Sequence, residues 1–289
     1  MSTVTQSATY VPESGPAGVE TGTAAGITYL RRKGPGRVLI CLHGIGSRGE
    51  SFVPMLPDLP ADWDVIAWNA PGYSGSAPLG ADWPVEADYS AALLGLLDAL
   101  ELGRVTLLGH SLGTLMGARF AADHGDRVTA LVLGASACGH GQAPGVLSQA
   151  AQDRLEALQA EGAEAFAASR APRLLADAPG NPGALKRVCD AMAAVTQPGY
   201  GQAVRMLASG QLEDSLSQVT APTGFLWGDG DVVTPRAQTD RARAARGGTA
   251  PLGVIACAGH ALHAEAPQAL AAALIEILSE LDQQNASSS

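Results

Sequence analysis

Along this chain, short runs of consecutive apolar residues alternate with longer stretches in which apolar residues recur every three to four positions. Val38–Leu42 is the first short run and ends at His43-Gly44. Val65–Trp68 ends at Asn69-Ala70-Pro71-Gly72, Val105–Leu108 at Gly109, and Leu131–Leu133 at Gly134. Thr223–Trp227 ends at Gly228, and Leu252–Ile255 runs out shortly before Gly259. Runs this short, without polar alternation and stopped by Gly or Pro, are the pattern of strands covered on both faces. Between them, Tyr89–Leu102 and Leu112–His124 carry apolar residues at helical spacing. Pro267–Leu281 does the same, with Pro in its first turn and Leu270, Leu274, Ile277, Leu278 and Leu281 on one stripe. Strands alternating with helices predict an α/β chain, a mostly parallel sheet with helices on both faces.

The alternation breaks between about Ala137 and Gln218. That stretch is Ala-rich and carries Leu155, Leu158, Phe166, Leu174, Val188, Met192 and Val204 in helical patterns parted by Pro and Gly, with no good strand. The expected organisation is a core made of residues 1–137 and 218–289, interrupted after its sixth strand by a helical insertion over 138–217. Residues 1–20, rich in Ser, Thr, Pro and Gly, are expected to form a loose arm, and the polar tail from Gln283 to Ser289 to fray.

Composition narrows the class. With 289 residues, 46% hydrophobic and 16% charged, the chain is long and apolar enough for one large packed domain with an insertion. Aromatics are only 4%, so both core and pocket should be lined mainly by aliphatic side chains. A formal net charge of −10 disfavours nucleic acid as a partner, because that field repels phosphates. The first residues show no basic and apolar leader, and no stretch is long and apolar enough to span a bilayer. The expectation is a cytoplasmic protein without a membrane partner; whether it self-associates is left open. Four cysteines, Cys41, Cys138, Cys189 and Cys257, are widely scattered without a C-x-x-C pair. They suggest neither a zinc site nor a disulfide framework, but small buried hydrophobes in a reducing compartment.

The chemistry is concentrated at the ends of the apolar runs. Gly109-His110-Ser111-Leu112-Gly113 matches G-x-S-x-G, follows a strand pattern and opens a helical one. Such a turn holds its serine in a strained conformation above the sheet edge, which requires small residues two positions away on either side. A hydroxyl needs a base. His260, directly after Gly259 at the end of the last strand, is the candidate, with His263 as its competitor. The base needs a carboxylate to fix its tautomer. The loop Gly228-Asp229-Gly230-Asp231-Val232-Val233-Thr234-Pro235 offers Asp229 and Asp231, whereas Gly134–Gly139 offers none. An oxyanion needs aimed donors. The backbone N–H groups of Leu112 and of Ile45, in His43-Gly44-Ile45-Gly46, are placed to supply them. His43 itself is expected to hydrogen-bond structurally.

Taken in order, these segments resemble the α/β-hydrolase superfamily from about Gly26 to Leu281. The resemblance rests on the His-Gly turn, Asn-Ala-Pro-Gly-Tyr-Ser-Gly-Ser (69–76), the Gly-His-Ser-Leu-Gly elbow, the Trp-Gly-Asp-Gly-Asp-Val-Val-Thr-Pro loop and Ala-Gly-His. It implies an eight-stranded, mostly parallel sheet with helices on both faces and a helical cap. It also implies a catalytic order Ser111, Asp231, His260, since in such proteins the acid stands a few residues before the loop proline. The chain is most similar to the capped lactonases and esterases, including 3-oxoadipate enol-lactonases, with meta-cleavage C–C hydrolases nearby. Asn69 and Ser74 stand where the family usually has Asp and Gly, in a loop that is structural. The nucleophile is Ser111 rather than the Asp of epoxide hydrolases and dehalogenases. The expected activity is hydrolysis of a small carboxylic ester or lactone through an acyl-enzyme, with no cofactor or metal. The alternatives are C–C bond hydrolysis in diketones and a non-catalytic binding role. Among Arg170, Arg173, Lys186, Arg187 and Arg205 of the insertion, one is a candidate to clamp a substrate carboxylate.

Overall fold

The computed structural model describes residues 18–288. Its strands are β1 (Glu20–Ala24), β2 (Ile27–Arg32), β3 (Val38–Leu42), β4 (Asp64–Trp68), β5 (Val105–His110), β6 (Val128–Gly134), β7 (Thr223–Gly228) and β8 (Leu252–Ile255). They form one eight-stranded sheet in the order β1-β2-β4-β3-β5-β6-β7-β8. β3 to β8 run parallel, while β1 and β2 are antiparallel to their neighbours. The six apolar runs fall on β3 to β8. The N-terminal hairpin β1–β2 has no apolar run to announce it. β1 lies at the sheet edge, and β2 buries only Ile27 and Leu30. Of the arm expected over 1–20, residues up to 17 lie outside the described ones, and Glu20 already opens β1.

Strand alternation divides the core in two. Ile40 and Leu42 of β3 face a cluster with Ile66, Trp68, Leu107 and Leu131, whereas Leu39 and Cys41 face Val65, Leu108 and Val132 on the other side. The first face is covered by α1 (Glu86–Ala99) and α2 (Leu112–Asp123), the second by α9 (Pro267–Ser288). α1 starts earlier than its apolar pattern. Asp88 reaches back to accept from the Val85 N–H at 2.8 Å, and Glu86 and Asp88 place acidic charge in the first turn. It also stops earlier, where Glu101 turns the chain at a φ of 54°. The tail expected to fray is helical, α9 running on through Ser288.

Between β6 and β7 the chain forms α3 (Gln149–Arg170), α4 (Pro182–Ala193), α5 (Gly199–Ser209) and α6 (Leu212–Gln218), and no strand. α3 packs on α4, while α6 packs on α2 and on α7 (Arg236–Ala245). Not all cysteines are the buried hydrophobes expected. Cys41 and Cys138 are buried, but Cys189 is half-buried and Cys257 exposed. Cys257 stands in the turn after β8, where its N–H donates to Asp229 Oδ1 at 2.7 Å and its side chain faces out. Among the described residues, no helix is long and apolar enough to cross a membrane. The parallel strands end together on one edge. That brings the turn after β3, Ser111 after β5, and the loops after β7 and β8 side by side, where ligands bind in such sheets.

Candidate active site

Ser111 joins β5 to α2 with φ 53° and ψ −117°, a region that a residue with a Cβ adopts at a cost of about 1–3 kcal/mol. The strain is held from both sides. The Ser111 N–H donates to Gly134 O at 2.9 Å, and its carbonyl accepts from Thr114 N and from Thr114 Oγ1 at 2.6 Å. The flanking glycines are required by close approach. A Cβ on Gly113 would lie 2.1 Å from Leu42 O, and one on Gly109 2.5 Å from Gly113 O. Hence the elbow packs directly against the end of β3 and leaves the Ser111 side chain on the wall of a cavity of about 880 Å3.

His260 lines the same cavity. Its Nδ1 lies 3.0 Å from Asp231 Oδ2, and both side chains are almost wholly buried. Asp231 is well fixed. Its Oδ1 accepts from the N–H groups of Val233 (2.8 Å) and Thr234 (2.9 Å), and its Oδ2 from Thr234 Oγ1 (2.6 Å). Burial works to raise the Asp231 carboxyl, but the hydrogen bond and charge of His260 and the two Thr234 donors outweigh it and hold the carboxyl below its usual range. With Nδ1 donating to this carboxylate, the His260 Nε2 carries the lone pair. Asp229 takes no part in this contact and instead ties down Cys257. His110 Nε2 lies 2.8 Å from the His260 backbone oxygen and donates to it. Burial, with His260 nearby, pushes His110 down to about 3, so it stays neutral there.

The turn after β3 comes against the elbow because residue 44 is glycine. A Cβ there would lie 3.0 Å from Ser111 Cβ and 3.4 Å from its Oγ. His43 sets the turn from below. Its Nε2 accepts from Ala70 N at 3.0 Å, so the proton is on Nδ1, which donates to Gly44 O at 2.8 Å. Burial lowers its pKa to about 4, consistent with a neutral structural ring. Asn69 is structural too: its Oδ1 accepts from Gly49 N and its Nδ2 donates to Thr28 Oγ1. Tyr73 OH donates to Ile45 O at 2.9 Å, which pins that carbonyl, and Ile45 is among the residues that line the cavity. The Leu112 N–H lies in the first turn of α2, where helical N–H groups have no acceptor within the helix.

Sequence reasoning did not single out Glu265, which joins the His260 loop to the helical stretch. Its carboxylate accepts from Gly259 N at 2.6 Å, from Ala176 N at 2.9 Å and from Asp177 N at 3.1 Å. The only sequence signal is an acidic residue at the end of the short helix α8 (Leu262–Glu265), two residues before Pro267. His263 is in α8, packed edge-on against His110 at 4.6 Å, with Nε2 at 3.4 Å from Ser47 Oγ. Of the five basic residues considered, Arg170, Arg173 and Arg187 line the cavity, and Lys186 pairs with Asp190 on the surface. Arg154 and Arg241 also line it, and sequence reasoning passed over both. Among the described residues, no three His, Cys, Asp or Glu side chains are grouped to hold a metal ion.

Comparison with known proteins agrees with this architecture. The chain is 26% identical over 262 residues to the provisionally named carbamate hydrolase RutD of Escherichia coli O81 (strain ED1a), covering 84% of this chain and 92% of that protein. It superposes on the enol-lactonase from Burkholderia xenovorans LB400 with a TM-score of 0.78 at 20% identity, covering 90% of this chain and all of the other. With 2-hydroxy-6-oxo-6-phenylhexa-2,4-dienoate hydrolase from Rhodococcus sp. strain RHA1, the TM-score is 0.72 at 19% identity, over 90% of this chain and 99% of the other. Identities this low in the two structures establish a shared fold. A family model described as the alpha/beta hydrolase fold matches residues 37–267, which span β3 to α9 and every residue of the candidate site, and the chain belongs to that family.

Proposed function

We propose that this protein hydrolyses a carboxylic ester or lactone through a covalent acyl-enzyme, with Ser111, His260 and Asp231 as its triad. The observation that carries the reading is the 3.0 Å contact of His260 Nδ1 with Asp231 Oδ2, made by a histidine that shares its cavity with a strained serine. Ser111 Oγ attacks the carbonyl carbon while His260 Nε2 takes its proton. Asp231 holds His260 in the needed tautomer and stabilises the imidazolium. The Ile45 and Leu112 amides receive the oxyanion. As the tetrahedral adduct collapses, the imidazolium returns the proton to the leaving oxygen. Water, deprotonated by the same imidazole, then releases the acid. Residues 138–217, chiefly α3 to α5, serve as a cap that shapes the cavity and restricts water.

A fluorophosphonate probe followed by mass spectrometry tests the nucleophile. The adduct is expected on Ser111, and Ser111→Ala should abolish labelling and lower turnover by several orders of magnitude with the fold intact. An adduct on Ser136 or any other serine overturns the assignment. Nitrophenyl esters, lactones, carbamates and ring-cleavage dienes, assayed side by side, separate ester and lactone hydrolysis from cleavage of C–N or C–C bonds.

A further inference from the structure

The sheet does not hold Ser111 and His260 equally. Ser111 follows β5, which pairs with β3 on one side and β6 on the other. His260 follows β8, a four-residue strand at the sheet edge that buries only Ile255 and, among the described residues, pairs with β7 alone. So short an edge strand supports the loop after it from one side. The other side is met by the helical insertion. The segment between α3 and α4 passes so close that a Cβ on Gly259 would lie 2.5 Å from Ala176 N and 2.9 Å from Leu174 O. A Cβ on Gly230, in the acid loop, would lie 2.6 Å from Ala176 Cβ. Ala176 is thus wedged between the loops that carry Asp231 and His260. Just beyond His260, the Ala261 N–H donates to Leu174 O at 2.8 Å.

Glu265 closes this contact. Its half-buried carboxylate takes backbone N–H groups from both sides, Gly259 from the histidine loop and Ala176 and Asp177 from the insertion. Hydrogen bonds to a charged acceptor are about twice as strong as neutral ones. Both oxygens are needed: Oε2 serves Gly259, Oε1 serves Asp177, and Ala176 lies within reach of each. A carboxamide in its place has one acceptor oxygen and would turn its NH2 toward one of these donors. The chain on the far side of His260 is held as well. Arg187 of α4 donates to Ala264 O at 2.6 Å, and Asn181, at the start of α4, to Glu265 O at 3.5 Å. None of these contacts touches a reacting atom. They act on the backbone around His260, where a misplacement of about 1 Å can cost roughly 100-fold in rate.

We propose that Glu265 is a positioning residue: it ties the backbone of Gly259 and His260 to residues 176–177 of the insertion and so aims the His260 ring at Ser111. This rests on the hydrolase reading and deepens it. The insertion then has a second role beside shaping the pocket, as the wall against which the base is set.

The test compares Glu265→Gln and Glu265→Asp on a neutral nitrophenyl ester. Glu265→Gln should lower kcat by about 10- to 100-fold with KM within about threefold, since Glu265 does not line the cavity. Fluorophosphonate labelling of Ser111 should slow by the same factor. Glu265→Asp keeps the charge and both oxygens and should recover most of the loss. Proton NMR reads the base itself. The wild type should show a low-field resonance from the His260 Nδ1–H on Asp231, absent in His260→Ala, and Glu265→Gln should shift or broaden it. A rise in KM at unchanged kcat would make Glu265 a shaper of the pocket and overturns the proposal. A loss of kcat with the low-field proton unmoved overturns it too, as does a Glu265→Asp no better than Glu265→Gln. Should Glu265→Gln fail to fold, as read by urea unfolding, Glu265→Asp carries the test, with a smaller loss of kcat and a shifted proton expected. Unfolding of both variants assigns Glu265 to stability alone and overturns the proposal. A wild type that shows the low-field proton but no adduct on Ser111 sinks the hydrolase reading, while a proton displaced in Glu265→Gln still upholds the positioning role.

Discussion

The parallel sheet and the helices inserted between β6 and β7 handle burial in opposite ways. Every residue of β4 and of β5 is buried, whereas the 22 residues of α3 bury only Leu158, Phe166 and Ala167. A strand covered on both faces has no freedom to shift without disturbing two layers of packing. The loops at its end therefore inherit fixed positions, and it is there that Ser111, Asp231 and His260 are found. A helix covered on one side can be re-aimed by one glycine, as α3 is at Gly162 with φ 78° and ψ 164°, and can carry charge into the cavity, as α3 does with Arg154 and Arg170. On the proposed reading, precision belongs to the sheet and selectivity to the insertion, except that Glu265 hydrogen-bonds between the His260 loop and residues 176–177.

This contrast can be broken most sharply at the acid. Asp231→Asn is expected to lower kcat on a neutral nitrophenyl ester by about 10⁴, through the wrong tautomer of His260. Asp229→Asn, whose carboxylate only receives the Cys257 amide, should cost less than about tenfold. Reversed effects would transfer the role to Asp229 and undo the division drawn here.

A smaller effect is expected from the insertion. Met192 of α4 is buried, lines the cavity and would meet a Cβ on Gly46 at 2.9 Å, so it walls the pocket beside the oxyanion turn. Met192→Ala should shift kcat/KM in favour of longer acyl chains by about 10- to 200-fold, the range for methylene-sized changes in an apolar pocket. Ser111 labelling by a small phosphonate should hardly change. A large loss of labelling would mean that the insertion positions the nucleophile as well as selecting substrate.

The smallest effect concerns stability. His43 and His110 are held neutral, with pKa values lowered by burial to about 4 and about 3, and burial lowers His263 as well. The unfolded chain, in which histidine titrates near 6.5, takes up protons that the folded sheet edge refuses. Stability from these rings is thus complete above about pH 6.5 and falls as the pH drops below it, because the unfolded chain then binds protons that the folded chain does not. Urea unfolding at pH 7, 6 and 5 measures the slope, and His43→Asn should flatten it. A midpoint independent of pH over that range would show the rings to be more exposed than their packing indicates.

The sequence alone determined the α/β class, the six strands from β3 to β8 and the helical stretch between β6 and β7, and it singled out a G-x-S-x-G serine and a late histidine that line one cavity. These are local or periodic features: apolar runs stopped by Gly or Pro, and turns that only certain residues allow. What lay beyond it depended on contacts between distant segments. β1 is a strand because it pairs with β2, the start of α1 is set by Asp88 reaching back to Val85, and α9 continues past its apolar stripe. Asp231 and Asp229 are two residues apart in the same loop, and only the return of the β8 loop decides which of them meets His260. The basic residues of the insertion looked alike in sequence. Arg170, Arg173 and Arg187 line the cavity while Lys186 pairs with Asp190 on the surface, because the position of a charge in a folded chain is set by the neighbours that tertiary structure brings to it.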